Sequence, residues 1–514
     1  MRNRLRATFA TFLLWALAPT LVYAQESFRR RVIEALPKLD EMAQGGIRAG
    51  EVPGLAIAVV LQDEVVYLKG FGVREAGNDA AIDPDTVFQL ASCSKPISGT
   101  VVAALVSDGA VSWDTRITDA DPGFRLHDAY PSAEVTVRDL FAHRSGLPGD
   151  AGNDLEELGF SRNEILHRIR NLEPSSSFRA GYAYSNFGLT EGAVAAASAA
   201  GLSWEDAADS KLFKPLGMAS TSARYADFLR QSDRAALHIR RDGRWQALLT
   251  RNPDAQSPAG GISSSVRDLT RWMRLELGNG WFERREVIKA AALEPTHTPV
   301  IMRGQDPITH RDGFYGLGWV IDYTPHGTVW GHAGPFSNGA RTQVQLIPSR
   351  QIGIVVLTNA FPTGFPEGIA ASFFDIVFDG APSRDWTAAW NRLYASLFGP
   401  ANEAAIAKYG TPPANASPAL PLASYAGTYA NDYLGQVRIV ADGADLMLQL
   451  GPGGKITHRL THFDRDTFTM HASLETPEVP SLLVFSIGGS GKATTLTIDE
   501  LNGMRQGTLQ RVSD

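Results

Sequence analysis

The stretch QLASCSKPIS, residues 89–98, sets Ser92 three residues before Lys95. A serine hydroxyl is a weak nucleophile until a base takes its proton, and a lysine one helical turn later can do so when it is neutral. Pro96 fixes the setting, because proline is tolerated in a helix only around the first turn. Ser92 is therefore expected at or next to a helix start, with ISGTVVAALVSDG carrying the helix on to Gly109. The partial positive charge of that helix end favours an oxyanion developing at an attacked carbonyl. Alone, the spacing is weak, since Ser-x-x-Lys arises by chance in many chains of this length.

Two other groups could join the pair. Tyr184-Ser185-Asn186 lies in YAYSNFGL, residues 182–189. A tyrosine near a lysine can share a proton, and an asparagine can donate to a bound carbonyl while accepting from the lysine. The plainer alternative is a loop whose aromatics pack. His332-Ala333-Gly334 falls on an expected strand, where glycine lets a ligand approach the backbone. A lone strand histidine is more often structural.

The elements that must hold these residues are partly readable. Apolar residues at Val32, Leu36, Leu39 and Met42 mark an amphipathic helix over 27–49, stopped by Gly45-Gly46. Runs 54–61 and 65–73 are apolar and β-branched around a short polar turn, which predicts a hairpin. Three further strands are expected at 327–334, 342–348 and 352–359. The long interval between the two β-rich ends reads as mainly helical. GTPPANASPALPL, residues 410–422, has a linker's composition. Alternating strands and Gly-rich turns beyond it predict a small all-β barrel or sandwich.

Whole-chain properties narrow the function. The 514 residues are 44% hydrophobic and 20% charged, the balance of a globular protein large enough for more than one domain. The net charge of −7 and the absence of a basic run argue against nucleic acid as a partner. Residues 1–24 carry Arg2, Arg4 and Arg6, an apolar run from Ala10 to Leu21, and Val22-Tyr23-Ala24 before Gln25. This reads as a secretory leader, with an uncleaved anchor as the alternative; the run is shorter than the roughly 20 residues of a span. Cleavage would take the net charge from −7 to −10, and a periplasmic or secreted protein without a membrane span is expected. Cys93 is the only cysteine, so no intramolecular disulfide forms. No cluster of ligating side chains at metal spacing is visible, and neither a metal nor a cofactor is expected.

In the order SxxK, YxN, HxG, the three motifs together resemble the serine β-lactamase and penicillin-binding-protein-like hydrolases, especially the class C-like branch. LFAHRSGL (140–147), PAGGISSSVRDLTRWM (258–273) and YGLGW (315–319) fit as well. The resemblance spans about residues 30–380; the C-terminal part, with YAGTYANDYLGQVRI, is similar to the lipocalin-like β domain of some of these hydrolases. It implies an α/β fold of the α+β sandwich type: a five-stranded antiparallel sheet made from both chain ends, flanked by helices, with a mostly helical insertion. The implied division is a leader over 1–24, a hydrolase domain over 25–380, a helix and linker over 381–422 and a β domain over 423–514. Carried onto this sequence, Ser92 becomes the nucleophile that forms an acyl-enzyme, Lys95 its proton acceptor and Tyr184 the relay to the leaving group. Asn186 would orient Lys95 and substrate, and His332 and Gly334 would line the substrate's strand. Whether Lys95 or ionised Tyr184 is the base stays open.

Two departures bear on substrate. Many relatives that hydrolyse β-lactams carry lysine where this chain has His332, and a histidine of ordinary pKa is largely neutral at pH 7. This favours peptides or amides with D-amino acids; a carboxylesterase is the alternative, a β-lactamase the third reading, and a penicillin-binding or sensor-like protein with poor turnover the non-enzymatic one. Pro335, after the HxG glycine, lacks the N–H that completes the family's oxyanion hole. A displaced strand, a side chain such as Tyr184, or slow catalysis would each answer this. Cys93 is expected to be a small buried residue, His143 and Arg144 to shape a loop, and Arg341 to form a surface ion pair rather than hold a substrate carboxylate. GGSGKAT (488–494) fails as a phosphate loop, with Ser486 and Ala493 at defining positions. The expected partner is a small molecule or peptide, with homo-oligomerisation left open.

Overall fold

The computed structural model describes residues 4–471 and 476–513, with side chains from Gln25 onward other than Phe398. The leader expected over residues 1–24 thus lies outside the residues described in full. No described helix is long and apolar enough to cross a membrane.

The first helix, α1 (Arg4–Ala49), leads into the hairpin β1 (Gly54–Leu61) and β2 (Glu64–Gly72). Much later come β3 (Ile301–Gln305), β4 (Asp312–Tyr315), β5 (Val320–Thr324), β6 (Gly327–Phe336), β7 (Ala340–Ile347) and β8 (Ile352–Thr358). These strands form one antiparallel sheet in the order β2-β1-β8-β7-β6-β5-β4-β3. The sheet therefore has eight strands, not the expected five. The three missed strands, IMRGQ, DGFY and VIDYT, are short and half-exposed, without the apolar alternation that marks a strand in sequence. They also take part of the interval read as mainly helical.

Every residue of β1 is buried, because both sheet faces are covered. Leu55, Ile57, Val59 and Leu61 join Ile354 and Val356 against Val32, Ala35, Leu39 and Ala43 of α1 and against the helix Phe365–Asp379. Spacings of three and four put those α1 residues on one stripe. The alternate residues Ala56, Ala58 and Val60 face the second core, which includes Ile97, Val101 and Leu105 of α2 (Ser94–Ser107). Each fully buried Leu, Ile or Val stabilises the fold by about 1.5–3 kcal/mol, so this two-sided burial is what fixes the sheet that carries β6.

A helix over Trp386–Tyr409 precedes the C-terminal region. There eight strands, running from Gly427–Asn431 to Thr508–Ser513, pair in chain order and close first to last. The choice between barrel and sandwich is thus resolved as a closed barrel. Its interior holds its own side chains: the Tyr425, Phe468 and Phe485 rings meet edge-on or tilted with centroids 5.0–5.7 Å apart, among buried Leu448, Leu483 and Leu496.

Candidate active site

Ser92 lies in a single 3-10 turn, Ala91–Cys93, that runs directly into α2, so Lys95 and Pro96 occupy the first turn of the helix. Ala91 adopts φ +47°, a conformation costly for a residue with a side chain, next to the serine. Around it only Ser92 keeps solvent access; Ala91, Cys93, Ser94 and Lys95 are buried. The serine can meet a substrate while the lysine cannot meet bulk water.

Lys95 Nζ has three neighbours: Ser92 Oγ at 3.1 Å, Asn186 Oδ1 at 2.6 Å and the Ala259 carbonyl at 2.9 Å. Burial drives the Lys95 pKa well below its ordinary value, opposed by the negative charge of Asp150. A buried ammonium costs several kcal/mol, which the amine avoids by giving up its proton. The Ala259 carbonyl belongs to a fully buried π-turn, Ser257–Gly261. The same turn accepts a hydrogen bond from Ser98 Oγ at Pro258, and Ser94 Oγ accepts one from Ile262 N–H, clamping the start of α2. Sequence reasoning missed Ala259, because a backbone acceptor leaves no side-chain signature; only the matching stretch PAGG pointed to the segment.

Tyr184 precedes the helix α3 (Asn186–Ala199), whose N-cap Ser185 accepts a hydrogen bond from Gly188 N–H. Its phenol lies within hydrogen-bonding reach of Ser92, and burial lifts its pKa well above the ordinary value. Asn186 points its carboxamide oxygen at Lys95 and donates through Nδ2 to Asn153 Oδ1 at 3.1 Å. Beneath Tyr184 sits His143, buried at φ +55°, its Nδ1 accepting from Ser185 N–H at 3.1 Å. Its ring packs on Tyr184, Tyr182 and Tyr315. Arg144 pairs with Asp139.

His332 is buried, and both ring nitrogens are engaged: Nε2 with the Tyr315 hydroxyl at 2.9 Å, Nδ1 with the Ala333 carbonyl at 2.8 Å. Burial, then the proximity of Lys95, push its pKa down to about 3. The stretch YGLGW pointed to the segment of Tyr315, but nothing in it marked the phenol as a partner of His332. Strand β6 pairs with β5 only as far as Gly331 and with β7 to Phe336, so one side is open from His332 onward. Pro335 falls there, where a strand tolerates proline. Gly334 sits against the nucleophile, for an added Cβ would lie 2.8 Å from Ser92 N. The strand is thus close to Ser92 rather than displaced from it.

Two residues outside the set also resolve. Cys93 is buried, its thiol pushed up to about 12 by burial, and donates to the His332 carbonyl at 3.2 Å. Arg341 is not a surface ion pair: its guanidinium is buried and held by Glu367 and Tyr394. The sequence hid this because both partners lie on helices that follow the sheet.

The Beta-lactamase family model matches residues 30–373, and one described only as a domain of unknown function, DUF3471, matches residues 411–510. An unguisins hydrolase of Aspergillus campestris is 26% identical over 418 residues, covering 76% of this chain and 75% of its own length. Penicillin-binding protein 4 of Amycolatopsis lactamdurans is 26% identical over 389 residues, covering 74% and 94%. Among solved structures, the octameric penicillin-binding protein homologue from Pyrococcus abyssi shares the fold with a TM-score of 0.56 at 19% identity, over 92% of this chain and 99% of that one.

Proposed function

Since this chain belongs to the Beta-lactamase family of serine hydrolases, we propose that Ser92 forms an acyl-enzyme with peptides or amides containing D-amino acids, with Lys95 as the base. The observation that carries the reading is the set of contacts at Lys95 Nζ. Asn186 Oδ1 and the Ala259 carbonyl can only accept, so they take the two N–H bonds of a neutral amine. Nζ lies 3.1 Å from Ser92 Oγ, so in that neutral form its remaining lone pair is free to accept the Ser92 proton.

Lys95 takes the Ser92 proton as Oγ bonds to the substrate carbonyl carbon, and the oxyanion gathers at the helix start beside the Ser92 N–H. Tyr184, kept as a neutral phenol by burial, gives its proton to the leaving nitrogen as the C–N bond breaks and regains one from Lys95. Water then attacks the ester, giving up a proton by the reverse route, and Ser92 leaves as the alcohol. The relatives' names, an unguisins hydrolase and a penicillin-binding protein, support a peptide-like acyl donor. Neutral His332 and paired Arg341 offer little to a β-lactam carboxylate. In this reading residues 25–380 form the hydrolase unit and the lipocalin-like barrel is an accessory.

The deciding experiment compares wild type with Ser92→Ala on a D-amino-acid p-nitroanilide, a p-nitrophenyl short-chain ester and a chromogenic cephalosporin. Ser92-dependent release from the anilide is expected; release from the ester alone would make the protein a carboxylesterase. Failure of a phosphonate to label Ser92 would remove the acyl-enzyme. The octamer named for the Pyrococcus homologue makes self-association the partner to examine first, by light scattering.

A further inference from the structure

A tyrosine of the C-terminal barrel reaches the segment that supports Asn186. Tyr433 is fully buried, in the turn between the first two barrel strands, Gly427–Asn431 and Gly435–Asp442. Its hydroxyl donates to Asp154 Oδ1 at 2.6 Å and accepts from Gly152 N–H at 3.2 Å. The turn is itself fixed: Asn431 Oδ1 accepts from the N–H groups of Tyr433 and Leu434. Arg168 donates to the Tyr433 carbonyl at 2.8 Å and Asn171 to the Asp432 carbonyl at 3.2 Å. The barrel is therefore bolted at several points to residues 150–171.

Asn153 lies between the two residues that Tyr433 holds. Gly152 has φ +85°, and an added Cβ would meet Ile165 and Phe187, so this bend is tightly enclosed. From it Asn153 Nδ2 donates to Asp150 Oδ1 at 3.0 Å, while its Oδ1 accepts from Asn186 Nδ2 at 3.1 Å. Asp150 N–H donates to the Tyr184 carbonyl at 3.0 Å. The 150–154 segment thus touches both Tyr184 and Asn186, and Asn186 in turn holds Lys95. An amide that can rotate needs such a partner to keep its oxygen on the lysine.

We propose that Tyr433 is a positioning residue of the hydrolase site: through Gly152, Asp154 and Asn153 the barrel fixes the Asn186 carboxamide on Lys95 and so keeps the lysine out of water. The proposal rests on Lys95 being the base. Loss of the Tyr433 hydroxyl loosens the 150–154 bend, lets water reach the lysine, and raises the pH at which it loses its proton.

The test is Tyr433→Phe, which keeps the ring's packing, measured beside Asn153→Ala and the double variant on whichever chromogenic substrate wild type turns over through Ser92. The groups that orient metal ligands typically cost about 10–100-fold when lost, and a loss of that order is expected for this support. The expected result is a fall of that size in kcat with little change in KM, full phosphonate titration of Ser92, and an acid limb of kcat moved to higher pH, so that activity recovers in alkaline buffer. Asn153→Ala should act alike, and the double variant should lose little more than either single one. Wild-type kcat and pH profile in Tyr433→Phe, additive losses in the double variant, or a loss that only follows a falling titre of labelled Ser92 would each overturn the proposal. Activity retained in the Ser92→Ala variant would instead remove the reading beneath it.

Discussion

Lys95 Nζ lies 4.4 Å above the centre of the Tyr184 ring, and burial moves the two ionisations in opposite directions. The amine loses its proton more easily and the phenol holds its proton more tightly. Both shifts favour the uncharged form, and in the proposed mechanism they divide the labour between an acceptor beside Ser92 and a donor for the leaving group.

The pH profile should show this division. A base whose pKa is depressed becomes active as pH rises through that lowered value, so kcat/KM should be established well below the ordinary lysine value of 10.5. His332, at about 3, and His143, also held far below its ordinary value by burial, contribute no limb near 6.5. Measurement from pH 4 to 10 checks this; a limb near 6.5 that vanishes in His332→Gln would contradict it.

If the oxyanion gathers beside Ser92 as proposed, Pro335, on the strand that Gly334 brings against Ser92, has no N–H to offer it. A single lost donor costs roughly 100-fold or more. Pro335→Ala should therefore raise kcat by about tenfold or more with little effect on KM. Unchanged kcat would mean that a side chain already supplies the second donor.

Arg341 should matter for stability and not for substrate. Removing one member of a buried ion pair costs about 3–5 kcal/mol, because the other charge stays buried. Arg341→Met should lower the unfolding free energy measured in urea by that amount, and Glu367→Leu in the same chain should restore most of it. The preference between substrates with a free carboxylate and their amides should not change.

Glu191, buried in α3, has a carboxyl pushed up to about 8 by burial and by nearby Asp121. The unfolded chain gives up this proton near 4.5, so between those values the folded state binds the extra proton and stability falls as pH rises, by about 1.4 kcal/mol per pH unit. Below 4.5 and above 8 the effect is flat. Urea unfolding across this range should show the decline, and Glu191→Gln should abolish it while stabilising the protein at pH 8.

What the sequence reveals follows from what leaves a pattern. The pair Ser92 and Lys95 is legible because Pro96 pins the helix start, and β1 and β8 because full burial makes them continuous apolar runs. The strands from Ile301 to Thr324 are half-exposed and mixed, so their pairing is decided by neighbours the local sequence does not encode. In the site, Tyr184 and Asn186 are found by motif, but the carbonyl of Ala259 and the phenol of Tyr315 act through position alone. Arg341 is hidden from the sequence because its charge suggests the surface, while its partners Glu367 and Tyr394 arrive from helices that follow the sheet.

The neighbours of Lys95 also say something about how the chain reaches its working form. Ser92 is three residues away, but Asn186 is 91 and Ala259 is 164. Closing such long loops is slow compared with winding α2, whose contacts are local. A refolding chain therefore regains helical signal before it regains turnover. Enzymatic activity marks the moment at which the most distant parts of the hydrolase unit have met.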